Sequence, residues 1–457
     1  MANEHTILLA EINAKQQNLK RILAILKSQN IPAAYRNIIY AKFALAISPL
    51  DNDLKELITK VENGNLNQQG TVACWQEIAQ IRDECNNIFA QLMDFLGGIA
   101  VRDMKLEEGM CRVAEHLVSE TYRASGLIWS SVLIVGEERL FQEIAQTTQF
   151  IRLRFPEWDI WNLPFTAHEF GVLLASTDQV KGIQDLYKGE SDRLKRLIEG
   201  KKLSKAELEG IAPFLLDLRG PHHNVESRSL ALDHQRLHMK NLFADMFATY
   251  FLGPAYIYAR LFLRLDPASF DRNKNYEPSF IRRFSFMLNT LEKMNDRYKS
   301  STKKTGPYTD ELDNLKEYWN QTIRSVLPLY DGSLAIHKPF DEWFGKMWKL
   351  FYDTYSLVGF SKEDWESASD LGEKLNNFAQ EAETAELSES ATLPVILNAA
   401  WYSRVRLPLE RQAVIEKKVR SWCDQIIPTE EVVKPAAATG PSIAPPIPSE
   451  TTPAPRN

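Results

Sequence analysis

Apolar residues recur at three- and four-residue intervals through most of this chain, and that pattern predicts a mainly α protein. Leu8, Leu9, Ile12, Leu19, Ile22, Leu23 and Leu26 trace one long amphipathic helix. A second is predicted over residues 41–61, and a third over residues 75–96 with Gly97-Gly98 as its stop. Asn63-Gly64-Asn65 reads as a surface turn between them. Together these segments predict a helical N-terminal region over residues 1–100.

Beyond residue 101 the pattern becomes denser. Met110, Val113, Ala114, Leu117 and Val118 line one face of a helix. Ile151, Leu153 and Phe155 then alternate with Arg152 and Arg154, a period of two that predicts a short strand ended by Pro156. Asn162 is placed to cap the next helix, with Pro164 in its first turn. An apolar helix is predicted over residues 230–259, with a possible break at Gly253-Pro254. Residues 300–308 read as an exposed connection. Trp319, Trp343, Phe344, Trp348 and Phe351 fall at spacings typical of core aromatics. An acidic linker near residues 380–390, a last helix over residues 409–426 and a disordered tail over residues 428–457, rich in Pro, Ala and Thr, complete the chain.

Composition narrows the function classes. A net charge of −6 argues against a broad phosphate-binding face, and Lys201-Lys202 and Lys303-Lys304 are short basic clusters diluted by acids. No nucleic-acid partner is expected. The run over residues 127–135 is too short for a bilayer, so no membrane insertion is expected. The first residues lack a basic stretch followed by an unbroken apolar run, which predicts a cytoplasmic location. Cys74, Cys85, Cys111 and Cys423 form no C-x-x-C pair and read as structural thiols. Phosphate-loop, dinucleotide and serine-hydrolase signatures do not occur.

The chemistry concentrates in three segments. His168-Glu169-Phe170-Gly171-Val172 has the first two residues of the H-E-x-x-H zinc helix, in which two histidines one turn apart grip Zn²⁺ and the Glu acts on the bound water. Asn241-Leu242-Phe243-Ala244-Asp245 and Glu277-Pro278-Ser279-Phe280-Ile281-Arg282-Arg283 follow in that order. The set resembles the soluble core of gluzincin metallopeptidases of the HtpX-like family, whose pattern runs H-E-x-G-H, E-x-x-A-D and H-P-x-x-x-x-R. The resemblance covers residues 150–290 and implies a zincin-like domain over residues 101–299, followed by a helical region over residues 309–427. It also implies a bacterial origin.

Carried over by position, His168 is the first metal ligand and Glu169 the general base. Asp245 and Arg283 support them from behind, Asp245 by orienting a ligand histidine. Three positions depart from the pattern. Val172 replaces the second ligand, Asn241 the third, and Glu277 the histidine of the last motif. Valine has no lone pair, and a neutral amide is a poor substitute for a carboxylate on zinc.

The favoured expectation is therefore a pseudopeptidase without cofactor, binding a protein or peptide partner through the former cleft. An active metal-dependent peptidase is the alternative. His234, His238, Asn241 and Asp245 fall within about 60° on one helix face, so His168 and His238 could hold zinc with Glu169 as base. A helical scaffold unrelated to zincins is the third reading. His222-His223 read as surface histidines or accessory ligands.

Overall fold

The computed structural model describes residues 4–27, 33–63, 68–106, 108–125, 131–135, 150–154, 158–176, 196, 225–271, 277–299, 305–329, 338–351, 359–381, 385–388 and 390–427. The protein is mainly α, as the periodicity predicts. His222-His223, the lysine pairs, the tail and the side chain of His234 lie outside the described residues.

Helices α1 (Glu4–Leu26), α2 (Ala33–Glu62) and α3 (Gln68–Asp103) pack their apolar stripes into a core of their own. Leu8, Ile12, Leu19 and Ile22 from α1 meet Phe43, Ile47, Leu50 and Leu54 from α2 there. Phe43 meets Phe95 of α3 edge to face at 5.9 Å. Two predicted boundaries are corrected. Helix α2 starts eight residues before the expected position 41. Helix α3 passes through Gly97-Gly98, because the stripe of Ile88, Leu92, Phe95 and Ile99 continues to be buried across them. Burial of that stripe outweighs the roughly 1 kcal/mol by which a mid-helix glycine disfavours the helix.

Arg102 at the end of α3 forms a two-pronged bond to Glu115 of α4 (Met110–Ser125), at 2.5 and 2.8 Å. Strands β1 (Ser131–Val135) and β2 (Phe150–Arg154) pair in parallel, Ser131 opposite Phe150 and Val135 opposite Arg154. They form the one sheet among the described residues.

Helix α5 (Pro164–Ser176) is the centre of the second, larger core. Ten of its residues are buried, and Phe165, Glu169 and Ser176 alone are partly open. A helix apolar almost all round must be enclosed. It is covered by α6 (Val225–Leu252), α7 (Pro254–Arg264) and α4. Asn162 does not cap α5 with its side chain. Its carbonyl accepts from the Phe165 N–H at 3.0 Å, and its Oδ1 accepts from Arg264 at 3.5 Å.

The break between α6 and α7 falls at Gly253, as the Gly-Pro pair suggests. Gly253 sits at φ 59°, and a Cβ there would meet the Phe360 ring at 2.5 Å. The break would strand backbone groups in the core. Asn398 of α12 (Leu393–Arg404) takes both: its Nδ2 donates to Leu252 O at 2.7 Å, and its Oδ1 accepts from Ala255 N at 2.9 Å. The same core then runs through α8 (Phe280–Asp296), α9 (Thr309–Val326), α10 (Lys338–Lys349), α11 (Lys362–Glu381) and α13 (Gln412–Ile426). The described buried apolar residues from Met110 to Ile427 thus share one hydrophobic cluster.

Tyr258 of α7 donates to Glu311 of α9, which also accepts from Arg406. Tyr308, in the stretch expected to be exposed, is instead fully buried and donates to the carbonyls of Phe360 and Ser361 at 2.8 and 2.9 Å. Of the expected core aromatics, Trp319, Trp343, Phe344 and Phe351 are buried, and Trp348 is half-buried against the same core. The four cysteines are buried and free.

Candidate functional site

Four helices meet around one buried aspartate. Asp245 lies on α6, eight residues before the Gly253 break, with a fully buried side chain. Arg283 of α8, 1 % exposed, grips it with two bonds: Nε donates to Oδ2 at 2.6 Å and Nη2 donates to Oδ1 at 2.8 Å. Tyr256 of α7 donates its hydroxyl to Oδ1 at 2.5 Å. His168 of α5 brings Nε2 to 3.4 Å from Oδ1 and to 2.8 Å from Arg283 Nη2. The helix turn after Gly253-Pro254 is what aims Tyr256 back at Asp245.

The protonation pattern follows from donor counting. A guanidinium has only donors, so His168 Nε2 accepts from Arg283 and the ring proton sits on Nδ1. Nδ1 faces Glu169 Oε1 at 3.7 Å. Burial pushes the His168 pKa below its ordinary 6.5, against a smaller upward pull from Glu169 and Asp245. The imidazole is therefore neutral at pH 7. Burial alone would raise Asp245, but the Arg283 charge and bonds outweigh it and hold the carboxyl below its usual range. Tyr256 is pushed well up by burial and by the Asp245 charge, so it remains a donor. Glu277, with its side chain one-third exposed, lies 3.4 Å from Arg283 Nη1. Burial would raise Glu277 as well, and the charges of Arg283 and Arg260 bring it down.

The helices that carry the first two motifs touch backbone to backbone. A Cβ on Gly171 would lie 2.9 Å from Ala244 Cα and 3.2 Å from Ala244 Cβ. The two small residues allow α5 and α6 to approach closely enough for His168 to reach Asp245. So His168, Glu169, Asp245, Glu277 and Arg283 come together in one cluster. Val172 is buried with the apolar residues of α5. Asn241 is 5 % exposed, and its Nδ2 donates to Leu237 O of its own helix at 3.0 Å. His238 is buried two turns before Asp245. Among the described residues no three His, Cys, Asp or Glu side chains form a group that could hold a metal.

The residues present do not fit zinc. The Nε2 lone pair of His168 faces a guanidinium, Val172 offers no donor atom, Asn241 offers only a neutral amide oxygen, and Glu277 pairs with Arg283. Arg283 supplies the positive charge among these side chains.

Comparison with protein-family models, with curated proteins and with solved structures found no match. The geometry stands on its own.

Three participants escaped the sequence reading. Tyr256, Arg260 and Phe165 all lie within the cluster or on its edge. Tyr256 and Arg260 are one turn apart on α7, and Arg260 lies over the Phe165 ring at 5.8 Å. A polar stripe Tyr256-Arg260-Arg264 at four-residue spacing, on a helix whose other residues are Pro, Ala, Ile, Tyr, Leu and Phe, was the available signal. No helix among the described residues is long and apolar enough to cross a membrane.

Proposed function

We propose that this chain is a non-catalytic relative of zinc peptidases, a pseudopeptidase that binds a protein or peptide partner at the edge of a degenerate site. The observation that carries the reading is the position of Arg283. Its guanidinium bonds Asp245 and His168 together, on the nitrogen that an H-E-x-x-H helix would turn towards its metal. An internal cation thus balances charge in a pocket of peptidase type and leaves no ligand set for zinc. The Gly171–Ala244 contact gives further support, since both are positions at which the chain keeps the gluzincin pattern.

The partner-facing edge is made by residues that remain partly open: Phe165 and Glu169 one turn apart on α5, Arg264 against the Phe165 ring, and Glu277 beside Arg283. Its mixture of one aromatic ring with charges of both signs suits an extended peptide, which carries N–H donors, carbonyl acceptors and apolar side chains.

The test is metal analysis of the purified chain together with peptide hydrolysis under Zn²⁺, Co²⁺ and Mn²⁺. We expect substoichiometric metal, no cleavage, and no change in either readout on Glu169→Gln. Stoichiometric zinc that disappears in His168→Ala, with cleavage that disappears in Glu169→Gln, would overturn the proposal in favour of an active peptidase.

A further inference from the structure

Among the described residues, Arg260 is a buried charged group that the fold leaves poorly served. The residue is 8 % exposed. Its Nε–H is buried with no hydrogen-bond partner, and none of the ion pairs formed among the described residues includes it. Leaving a buried guanidinium donor unmatched is expensive, and proteins rarely tolerate it without a reason. The location supplies one. Arg260 lies one turn beyond Tyr256, whose hydroxyl is on Asp245, and its guanidinium lies over the face of Phe165. Its charge also reaches Glu277, His168 and Asp245. A second unmatched donor is close by: Arg283 Nη1 is buried and makes no hydrogen bond, although Glu277 Oε1 lies 3.4 Å away.

We propose that Arg260 is the anchor for the C-terminal carboxylate of a bound peptide. The proposal rests on the partner-binding reading above and deepens it by naming the end of the peptide that is held. A planar carboxylate matches the planar fork of a guanidinium, including its Nε–H. The surroundings favour a monoanion over a phosphate. Glu169 and Glu277 stand at the same edge, where a dianion would be repelled, while the peptide N–H groups preceding a C-terminus would find acceptors in those two carboxylates. The Phe165 ring, partly open, offers an apolar face to the last side chain.

The experiment uses the full chain and a degenerate acetylated hexapeptide library in two forms, free acid and C-terminal amide, with retention read by affinity selection and mass spectrometry. Wild-type protein should retain the acid library over the amide by at least about tenfold, the scale of one charge-assisted hydrogen-bonded pair. Arg260→Gln should abolish the preference. Arg260→Lys should keep a reduced one, since it retains the charge and loses the fork. Circular dichroism of each variant reports whether it is folded, and the wild-type comparison stands even if a variant is not. Equal retention of acid and amide by the wild type overturns the anchor, as does acid preference that persists undiminished in folded Arg260→Gln. Acid-selective retention accompanied by truncated peptides in the eluate supports the anchor and overturns only the non-catalytic reading.

Discussion

Arg283→Met removes the guanidinium that bonds both oxygens of Asp245 and replaces it with an apolar side chain that can occupy much of the same space. Asp245 is 0 % and Arg283 1 % exposed, so solvent cannot take over. Breaking a buried pair from one side costs about 3–5 kcal/mol, because the other charge remains desolvated. The Tyr256 hydroxyl still donates to Oδ1, which places the expected loss near the lower end, at about 3 kcal/mol. Asp245→Asn should lose a similar amount by orphaning the arginine. The double variant should fall well short of the sum, with a coupling of about 2–3 kcal/mol.

The pH profile gives an independent sign. In the wild type the Asp245 pKa is held below its ordinary 3.8, so its contribution is present above that value and is lost as pH falls through the folded pKa. Without Arg283, burial dominates and the folded pKa rises above the unfolded one, so stability should instead fall as pH rises through the carboxylate range. Urea unfolding followed by tryptophan fluorescence is a suitable assay, since Trp75 is the one tryptophan among residues 1–100 and eight of the others lie in or against the larger core. Additive single and double variants, or an Arg283→Met loss under about 1 kcal/mol, would refute the reasoning.

Gly171→Ala should destabilise despite alanine's better helix propensity. Overpacking against the Ala244 backbone costs about 1–3 kcal/mol, against about 1 kcal/mol gained in the helix, and thermal unfolding gives the sign. His168 has a folded pKa below its unfolded 6.5, so its contribution is full above pH 6.5 and is lost as pH falls from there towards the folded value; denaturation midpoints across that window should flatten in His168→Gln. Asn398→Leu leaves the Leu252 carbonyl and the Ala255 N–H unpaired in the core, at about 1–3 kcal/mol for each group, and hydrogen exchange at the α6–α7 junction should accelerate.

Much of the fold was legible because burial and periodicity agree along single helices. The stripes of α1 and α4, the alternation in β2 and the Gly-Pro break each carry their own local signal. Where the expectation missed, a contact from far along the chain decided the outcome. Tyr308 reads as part of a polar connection, but the Phe360 and Ser361 carbonyls draw it inside. Gly97-Gly98 reads as a stop, but the apolar stripe on either side keeps the helix going. At the site, the convergence of His168, Asp245 and Arg283 could be inferred from motif order and spacing. The pairing of Arg283 with His168 could not, because a motif fixes which residues are near and leaves open which of them bond. Tyr256 and Arg260 carried only a weak signal, a four-residue polar spacing on a short helix.

The role of Asn398 has a practical consequence for anyone who divides this chain into pieces. Every side chain of the cluster lies before residue 284, so a fragment stopping at residue 299 would look complete on paper. It would lack the amide that splices the bend presenting Tyr256, and also the Phe360 ring packed against that bend. Such a fragment should express as a loosened core whose failure to bind says nothing about the intact protein. Screening clones should extend through residue 427.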